Sequence, residues 1–388
     1  MNIKLLSLIV LLSVLFTACG NEKKEPTQEQ IVTETKSAYD SLLTMNFYKR
    51  MEGTIADQQV VVQLQCYNGK IQGMYYYLNH GVWIMLSGAV NPANPNNVTI
   101  QESNFSDGEK TAILDCKYDL GTLKGSWRSA DGKKNYLIDL KESYPEGSYT
   151  FTTMSLHDSL AAFPGVDSSP VATVSKDFVV PLKDDGEEGQ WLNVQVKKAI
   201  GIDSALLTLD ISAGATKMNG KFLKGYRDEV KGMGEDGFAS FLNYEDVQNV
   251  SVCYNENGYV ILNTDIYSYT GGAHGNGGSS FNCLDVKNKK ALKLKDILKA
   301  DSVHLQPIVE SEFRKQQGLK PTDSLTGILF ENHLATTDNF YFTNKGIGFY
   351  YFPYEVAAYA VGPIHVFVPF SSLQRYLAPD FVQRMKLQ

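Results

Sequence analysis

Cysteine and histidine are scarce in this 388-residue chain, which contains five cysteines and six histidines. No CxxC pair or histidine cluster has the spacing of a zinc site, so no metal or other cofactor is predicted. The sequence also lacks the GxxxxGK[ST] pattern of phosphate-binding loops and the GxSxG pattern of a nucleophile elbow. These absences favour a chain that is not an enzyme.

Basic residues are also fewer than acidic ones. The chain has 36 Lys and Arg against 43 Asp and Glu, which gives a formal net charge of −7. An acidic chain does not favour nucleic acid or anionic lipid as a partner, because both are polyanions. A basic protein partner would be favoured electrostatically.

Only one apolar run is long, and it extends from Leu5 to Phe16 after the basic Lys4. It is too short to span a bilayer, which needs about 20 apolar residues. A charged start, a short apolar stretch and small residues before a cut site are typical of a secretion signal, predicted here over residues 1–18.

The cut site Leu15-Phe16-Thr17-Ala18-Cys19 resembles the bacterial lipobox, in which the cysteine is acylated and becomes the mature N-terminus. The resemblance implies a lipoprotein that is anchored to a membrane through Cys19 without spanning it. The alternative is an ordinary signal peptide with an incidental cysteine. Gly20 stands where an Asp would imply inner-membrane retention, so we expect an outer-membrane lipoprotein of the cell envelope. Residues 19–45 are predicted to be a lipidated tether and linker.

The fold class is predicted to be α+β overall, beginning with an all-β region at residues 46–143. Short alternating runs separated by turns such as Asn68-Gly69 and Asp131-Gly132 predict about eight strands in an antiparallel meander, closed into a small barrel or sandwich. Gly73 and Gly125 occupy equivalent places in a faint repeat and suggest strands that bend or lie under a bulky ring. A barrel can hold a small ligand, but filling by side chains is the favoured interpretation.

Residues 144–170 contain several Pro, Gly and Ser and are predicted to be a linker. Residues 171–388 are predicted to form an α+β domain. Its expected elements are a strand at 171–181, helices near 190–200, 219–242 and 294–318, a three-stranded meander at 248–287, a hairpin around residue 345, and a last strand at 364–368.

Four cysteines follow Cys19. Cys66 and Cys116 lie in the first domain and could form a disulfide in an oxidising compartment, with free buried thiols as the alternative. Cys253 and Cys283 are expected on strands separated by a third strand, too far apart to be bridged.

Two segments of the second domain are recognisable: Tyr267-Ser268-Tyr269-Thr270-Gly271-Gly272-Ala273-His274 and Pro353-Tyr354-Glu355-Val356-Ala357-Ala358-Tyr359-Ala360-Val361-Gly362. Together they resemble the extracytoplasmic domain shared by RsiV anti-sigma factors and the non-catalytic N-terminal part of PdaC peptidoglycan deacetylases. The resemblance covers about residues 165–380. It departs from the family at Ala358, where Pro is frequent. It implies an RsiV/PdaC-like α+β fold and a binding role, with a lysozyme-like protein or peptidoglycan as the partner.

Strand alternation over 259–270 places polar groups and rings on one open face, next to a glycine-rich loop. We therefore predict a partner-binding surface made of Asp265, Tyr267, Tyr269, Thr270, Gly271, Gly272 and His274. The alternative is an ordinary wide hairpin in which His274 bonds a nearby carbonyl group. A structural turn over the core is predicted for Pro353, Tyr354, Glu355, Tyr359 and Gly362, with Glu355 as a cap or acceptor of N–H groups.

Two other functions remain open. A hydrolase would use His274 with Asp265 and Ser279 or Ser280, but a flexible glycine-rich loop is a poor place to hold a base. A small-ligand carrier would use the N-terminal barrel.

Five Asp-Ser-apolar triplets resemble an O-glycosylation signal of some envelope proteins. Their serines are Ser41, Ser159, Ser204, Ser302 and Ser324. The alternative is that these Asp-Ser pairs form turns and helix N-caps.

Overall fold

The computed structural model describes residues 45–105, 108–182, 186–233 and 240–387. The predicted signal, Cys19 and Ser41 lie outside these residues. Within the described ranges, no helix is both long enough and apolar enough to cross a membrane.

Eight antiparallel strands form a closed barrel in which each strand pairs with the next and β8 returns to pair with β1. The predicted meander is confirmed, as a barrel rather than a sandwich. Its interior is filled by apolar side chains, among them Met51, Val62, Leu64, Ile100 and Leu114. The strands are β1 (Phe47–Ile55), β2 (Gln58–Tyr67), β3 (Lys70–Tyr77), β4 (Ile84–Val90), β5 (Asn97–Asn104), β6 (Lys110–Asp119), β7 (Thr122–Ser129) and β8 (Asn135–Glu142).

Two glycines let neighbouring barrel strands approach each other closely. A Cβ atom on Gly73 would collide with the carbonyl oxygen of Gln63, and one on Gly125 would collide with that of Asp115. A side chain at either position would push the strands apart, so both positions require glycine. The repeat seen in the sequence therefore marks the same local geometry in β3 and β7.

A six-stranded sheet follows, in the order β14–β13–β12–β11–β10–β9. Only β10 and β11 pair in parallel, and helices α1 and α2 supply the crossover that a parallel pair requires. The elements are β9 (Phe151–Ala161), β10 (Val171–Pro181), α1 (Glu187–Ala199), α2 (Ile211–Val230), β11 (Glu245–Glu256), β12 (Tyr259–Tyr269), β13 (Asn276–Asp285) and β14 (Lys290–Ala291).

The linker prediction for 144–170 is wrong over residues 151–161. These residues form β9, which pairs with β10 along its whole length, from Phe151 opposite Pro181 to Ala161 opposite Val171. Prolines and glycines flank the strand on both sides, and its many Ser and Thr residues hide the apolar alternation. The second predicted helix also lies earlier than expected, at Ile211–Val230.

A three-stranded antiparallel sheet and short helices complete the chain. The predicted hairpin around residue 345 is confirmed, with the Thr343 N–H donating to the Gly346 carbonyl at 3.0 Å. Asp301 caps the longest of these helices by accepting from the His304 N–H at 3.0 Å. The elements are α3 (Leu294–Ile297), α4 (Ser302–Gln316), β15 (Phe340–Phe342), β16 (Gly346–Tyr351), β17 (Ile364–Pro369), α5 (Phe370–Leu373) and α6 (Pro379–Met385).

The barrel and the second domain share a hydrophobic core. Trp83, in the loop between β3 and β4, stacks on Tyr341 of β15 with 3.4 Å between ring centroids. Phe105, just after β5, packs edge-on against both rings. Polar groups also cross the boundary, since the buried Arg50 of β1 pairs with Glu256 of β11. The two regions are therefore packed as one body.

The described cysteines are free thiols. Cys66 and Cys116 are buried in the barrel without a disulfide, so the free-thiol alternative holds. Burial raises the pKa of Cys66 to about 11 and that of Cys116 to about 12, which makes both thiols poor nucleophiles. Cys253 and Cys283 are also buried and unbridged, as predicted.

We expect acid to weaken the shared core through His365. Burial lowers the pKa of His365 to about 3, and its Nε2 forms a hydrogen bond of 2.6 Å with the Tyr341 hydroxyl. The unfolded chain takes up this proton near pH 6.5, so the stability conferred by neutral His365 is complete above that pH and is lost as the pH falls toward 3. Between pH 7 and 5 the loss should be about 1–2 kcal/mol.

Urea denaturation at both pH values measures this loss. His365→Gln should show a smaller dependence on pH than wild type, whereas the exposed His157→Gln should behave like wild type. Equal pH dependence in His365→Gln and wild type would contradict the assignment.

Candidate functional site

The two recognisable segments meet on the surface of the second domain. One spans the end of β12 and the loop that leads to β13, and the other lies in the turn between β16 and β17. The Gly275 carbonyl oxygen accepts hydrogen bonds from the Tyr359 hydroxyl at 3.0 Å and from His274 Nδ1 at 2.9 Å. This carbonyl group therefore fixes both segments to each other, although they are far apart in sequence.

Three rings form an aromatic cluster, which consists of His274, Tyr354 and Tyr359. His274 stacks on Tyr359 with 4.0 Å between centroids and 18° between planes. Tyr354 lies 5.3 Å from Tyr359 and 6.3 Å from His274, also nearly parallel. Because Nδ1 of His274 donates to Gly275, its Nε2 can accept from the Tyr354 hydroxyl, 3.4 Å away. The result is an apolar surface with polar tips.

Tyr354 is the most exposed member of the cluster, at 52 %. Its φ of 68° lies in the left-handed region, which bulky L-residues seldom adopt. Glu355 holds this turn, since its Oε2 accepts from the Phe352 N–H at 2.8 Å while its own N–H donates to the Phe352 carbonyl at 3.0 Å. Glu355 thus accepts a backbone N–H, which is consistent with the acceptor role predicted for it. Strain of this kind often marks functional positions.

The predicted surface residues of β12 have different roles. Tyr267 is 39 % exposed and lies directly against Gly275. A Cβ atom on residue 275 would collide with the Tyr267 hydroxyl, so the contact requires glycine there. Tyr269 donates to the Gly272 carbonyl at 3.0 Å and so shapes the loop. Gly271 and Gly272 have φ of 93° and 99°, which favour glycine. Tyr267 therefore packs against Gly275, the residue that follows His274, whereas Tyr269 supports the loop that carries the aromatic cluster.

Asp265 is not on the open face where alternation placed it. Burial raises the pKa of its carboxyl group, and the carboxylate accepts hydrogen bonds from Ser279 Oγ and Asn263 Nδ2. Ile266, which strand alternation places on the face opposite Asp265, is exposed instead. Strand β12 lies inside the six-stranded sheet and both its faces are covered in its first half, so alternation there does not separate core from surface.

The described residues do not form the catalytic triad that the hydrolase alternative requires. Asp265 bonds Ser279 and Asn263, while His274 contacts Gly275, Tyr354 and Tyr359. Across the described ranges, no group of three or more His, Cys, Asp or Glu could hold a metal ion.

Four of the five serines in Asp-Ser-apolar triplets are described, and all four are exposed: Ser159, Ser204, Ser302 and Ser324. We expect at least one of the five to carry a sugar in the native host. The intact mass of host-purified protein should exceed that of the lipidated polypeptide, and Ser→Ala changes should remove the excess. A mass that matches the unglycosylated lipoprotein would contradict this.

Comparison with protein families gives two adjacent matches. Residues 190–277 match the family model described as deacetylase PdaC, and residues 295–371 match that of a protein of unknown function, DUF3298. The PdaC resemblance predicted from the motifs is confirmed. His274 lies in the first match, and Tyr354 and Tyr359 lie in the second. The aromatic cluster is thus built across the two matched segments. No match was found among curated proteins.

Two solved structures are similar to this chain. A DUF3298 family member from Bacteroides fragilis is 21 % identical, with a TM-score of 0.57, and the match covers 62 % of this chain and 98 % of that one. A DUF3298 family protein from Pseudomonas aeruginosa is 18 % identical over 59 % of this chain and 95 % of its own, with a TM-score of 0.43. The similarity to the Bacteroides fragilis structure shows that this chain shares its fold.

Proposed function

We propose that this chain is a lipid-anchored, non-catalytic binding module of the cell envelope, and that the aromatic cluster with Tyr267 is its contact surface. The observation that carries the proposal is Tyr354, a bulky ring held outward in a left-handed turn. Such a backbone conformation costs of order 1–3 kcal/mol, and burial offsets only part of that cost because Tyr354 stays 52 % exposed. A role in binding a partner would explain why Tyr354 adopts this conformation.

A basic protein of the lysozyme type is the proposed partner. Rigid tyrosine and histidine rings bury contact area at a low cost in conformational entropy. The net charge of −7 would speed capture of a basic protein in a salt-dependent way. The resemblance to RsiV and PdaC points in the same direction, and peptidoglycan glycan is the alternative ligand.

A small-ligand carrier is less well supported. The described barrel interior is occupied by its own side chains. A groove of about 670 Å³ on the barrel is bordered by exposed polar groups such as Asn97, Asp115 and Lys124. An interior ligand would have to displace the barrel core.

Biolayer interferometry tests the proposed function. Immobilised wild-type protein is offered a lysozyme, purified peptidoglycan and a neutral control protein at low and high salt. We expect saturable lysozyme binding that weakens with salt. Binding of peptidoglycan alone would favour the alternative ligand, and binding of neither would contradict the proposal.

A further inference from the structure

A second feature of the surface is a partly enclosed cavity of about 340 Å³ between the β13–β14 turn and α6. It is separate from the aromatic cluster, since none of the cluster's residues lines it. Three carboxylates and three cations border it: Asp285, Asp296, Asp380, Lys290, Lys299 and Arg384.

Arg384 provides a fixed cation in the wall. Its guanidinium donates to the Asp285 carboxylate at 2.6 Å and to the carbonyl groups of Asn257 and Gly258 at 2.8 and 3.1 Å. It also lies 4.1 Å from the centre of the Tyr259 ring. These contacts hold its orientation without using all of its N–H groups. A ligand carboxylate would therefore meet a donor that needs no reordering.

The remaining charges are of two kinds. Lys290 is already paired with Asp296 at 2.7 Å. Lys299 and Asp380 are exposed at the cavity and have no ion-pair partner within the described ranges. One unpaired cation and one unpaired carboxylate thus face the same small space.

We propose that this cavity binds a small zwitterion, either a free amino acid or a dipeptide that places both of its termini in the cavity. The ligand carboxylate points to Lys299 and Arg384, and its ammonium group points to Asp380. An ion of a single sign would gain one of these contacts and be repelled by the other, whereas a zwitterion gains both. The cavity is at the small end of the size range of ligand sites, and Leu292 and Phe381 offer apolar contacts for a side chain.

Isothermal titration calorimetry on the full chain tests this inference. The probes are L-leucine, L-alanine, dialanine, and the singly charged acetate and methylammonium. We expect saturable binding of at least one zwitterion and binding of neither single ion. Preference for dialanine over the amino acids would identify a dipeptide as the ligand.

Two variants locate the site. Lys299→Met and Asp380→Asn should each weaken zwitterion binding by about tenfold or more. Lys295→Met, at an exposed lysine that does not line the cavity, should bind as wild type does. The inference is overturned if no zwitterion binds at millimolar concentration, if acetate binds equally well, or if both variants bind like wild type.

Discussion

Trp83→Ala is expected to lower the free energy of unfolding by about 3–5 kcal/mol, the range for removing a large aromatic side chain from a core. Trp83 is 1 % exposed and stacks on Tyr341, with Phe105 and Phe281 against its other sides. Truncation removes contacts on both sides of the boundary between the barrel and the second domain. Both parts should therefore lose stability together.

Urea denaturation followed by tyrosine fluorescence and circular dichroism measures this loss. Trp83→Phe should cost less, because it keeps a ring and removes an indole N–H that has no partner among the described residues. Tyr136→Ala, at an exposed barrel tyrosine, serves as the control. A loss below about 1 kcal/mol for Trp83→Ala would show that this contact is not central to the core.

Cys19→Ala is expected to abolish lipid attachment of the chain completely. If acyl chains on Cys19 are the attachment, removing the thiol removes the acceptor and leaves an unprocessed, unlipidated precursor. Labelled fatty acid should be incorporated into wild type and not into this variant.

Cys66→Ala provides a matched control, because Cys66 is a buried free thiol in the barrel. It should incorporate label as wild type does. Labelling of Cys19→Ala would show that the lipobox assignment is wrong.

Turn residues in the sequence predicted the strands that they separate. Asn68 and Gly69 both adopt positive φ, as an Asn-Gly hairpin requires, so this turn could be identified from sequence alone. The shared core could not be identified from sequence, because Trp83 and Phe105 lie just outside strand ends, where hydrophobic periodicity carries no information. Strand β9 was missed for a related reason, since turn residues surround it on both sides.

The sequence predicted the two segments of the candidate site but not their contact. Each segment was recognisable on its own, but the stacking of His274 on Tyr359 is a contact between distant parts of the chain. Tyr354 was assigned to a structural turn, and its left-handed conformation could not be read from its identity. Asp265 was assigned to the surface because alternation cannot show that its carboxylate is bonded by Ser279 on the neighbouring strand β13.

The central claim is that the aromatic cluster binds a partner rather than stabilising the fold. The direct test measures lysozyme affinity and melting temperature for Tyr354→Ala and His274→Ala, with Tyr136→Ala as the exposed-tyrosine control. We predict a loss of about 2 kcal/mol of binding free energy for Tyr354→Ala, roughly 30-fold in affinity, with little change in melting temperature. Unchanged affinity with a large fall in melting temperature would show that these rings are structural and would contradict the claim.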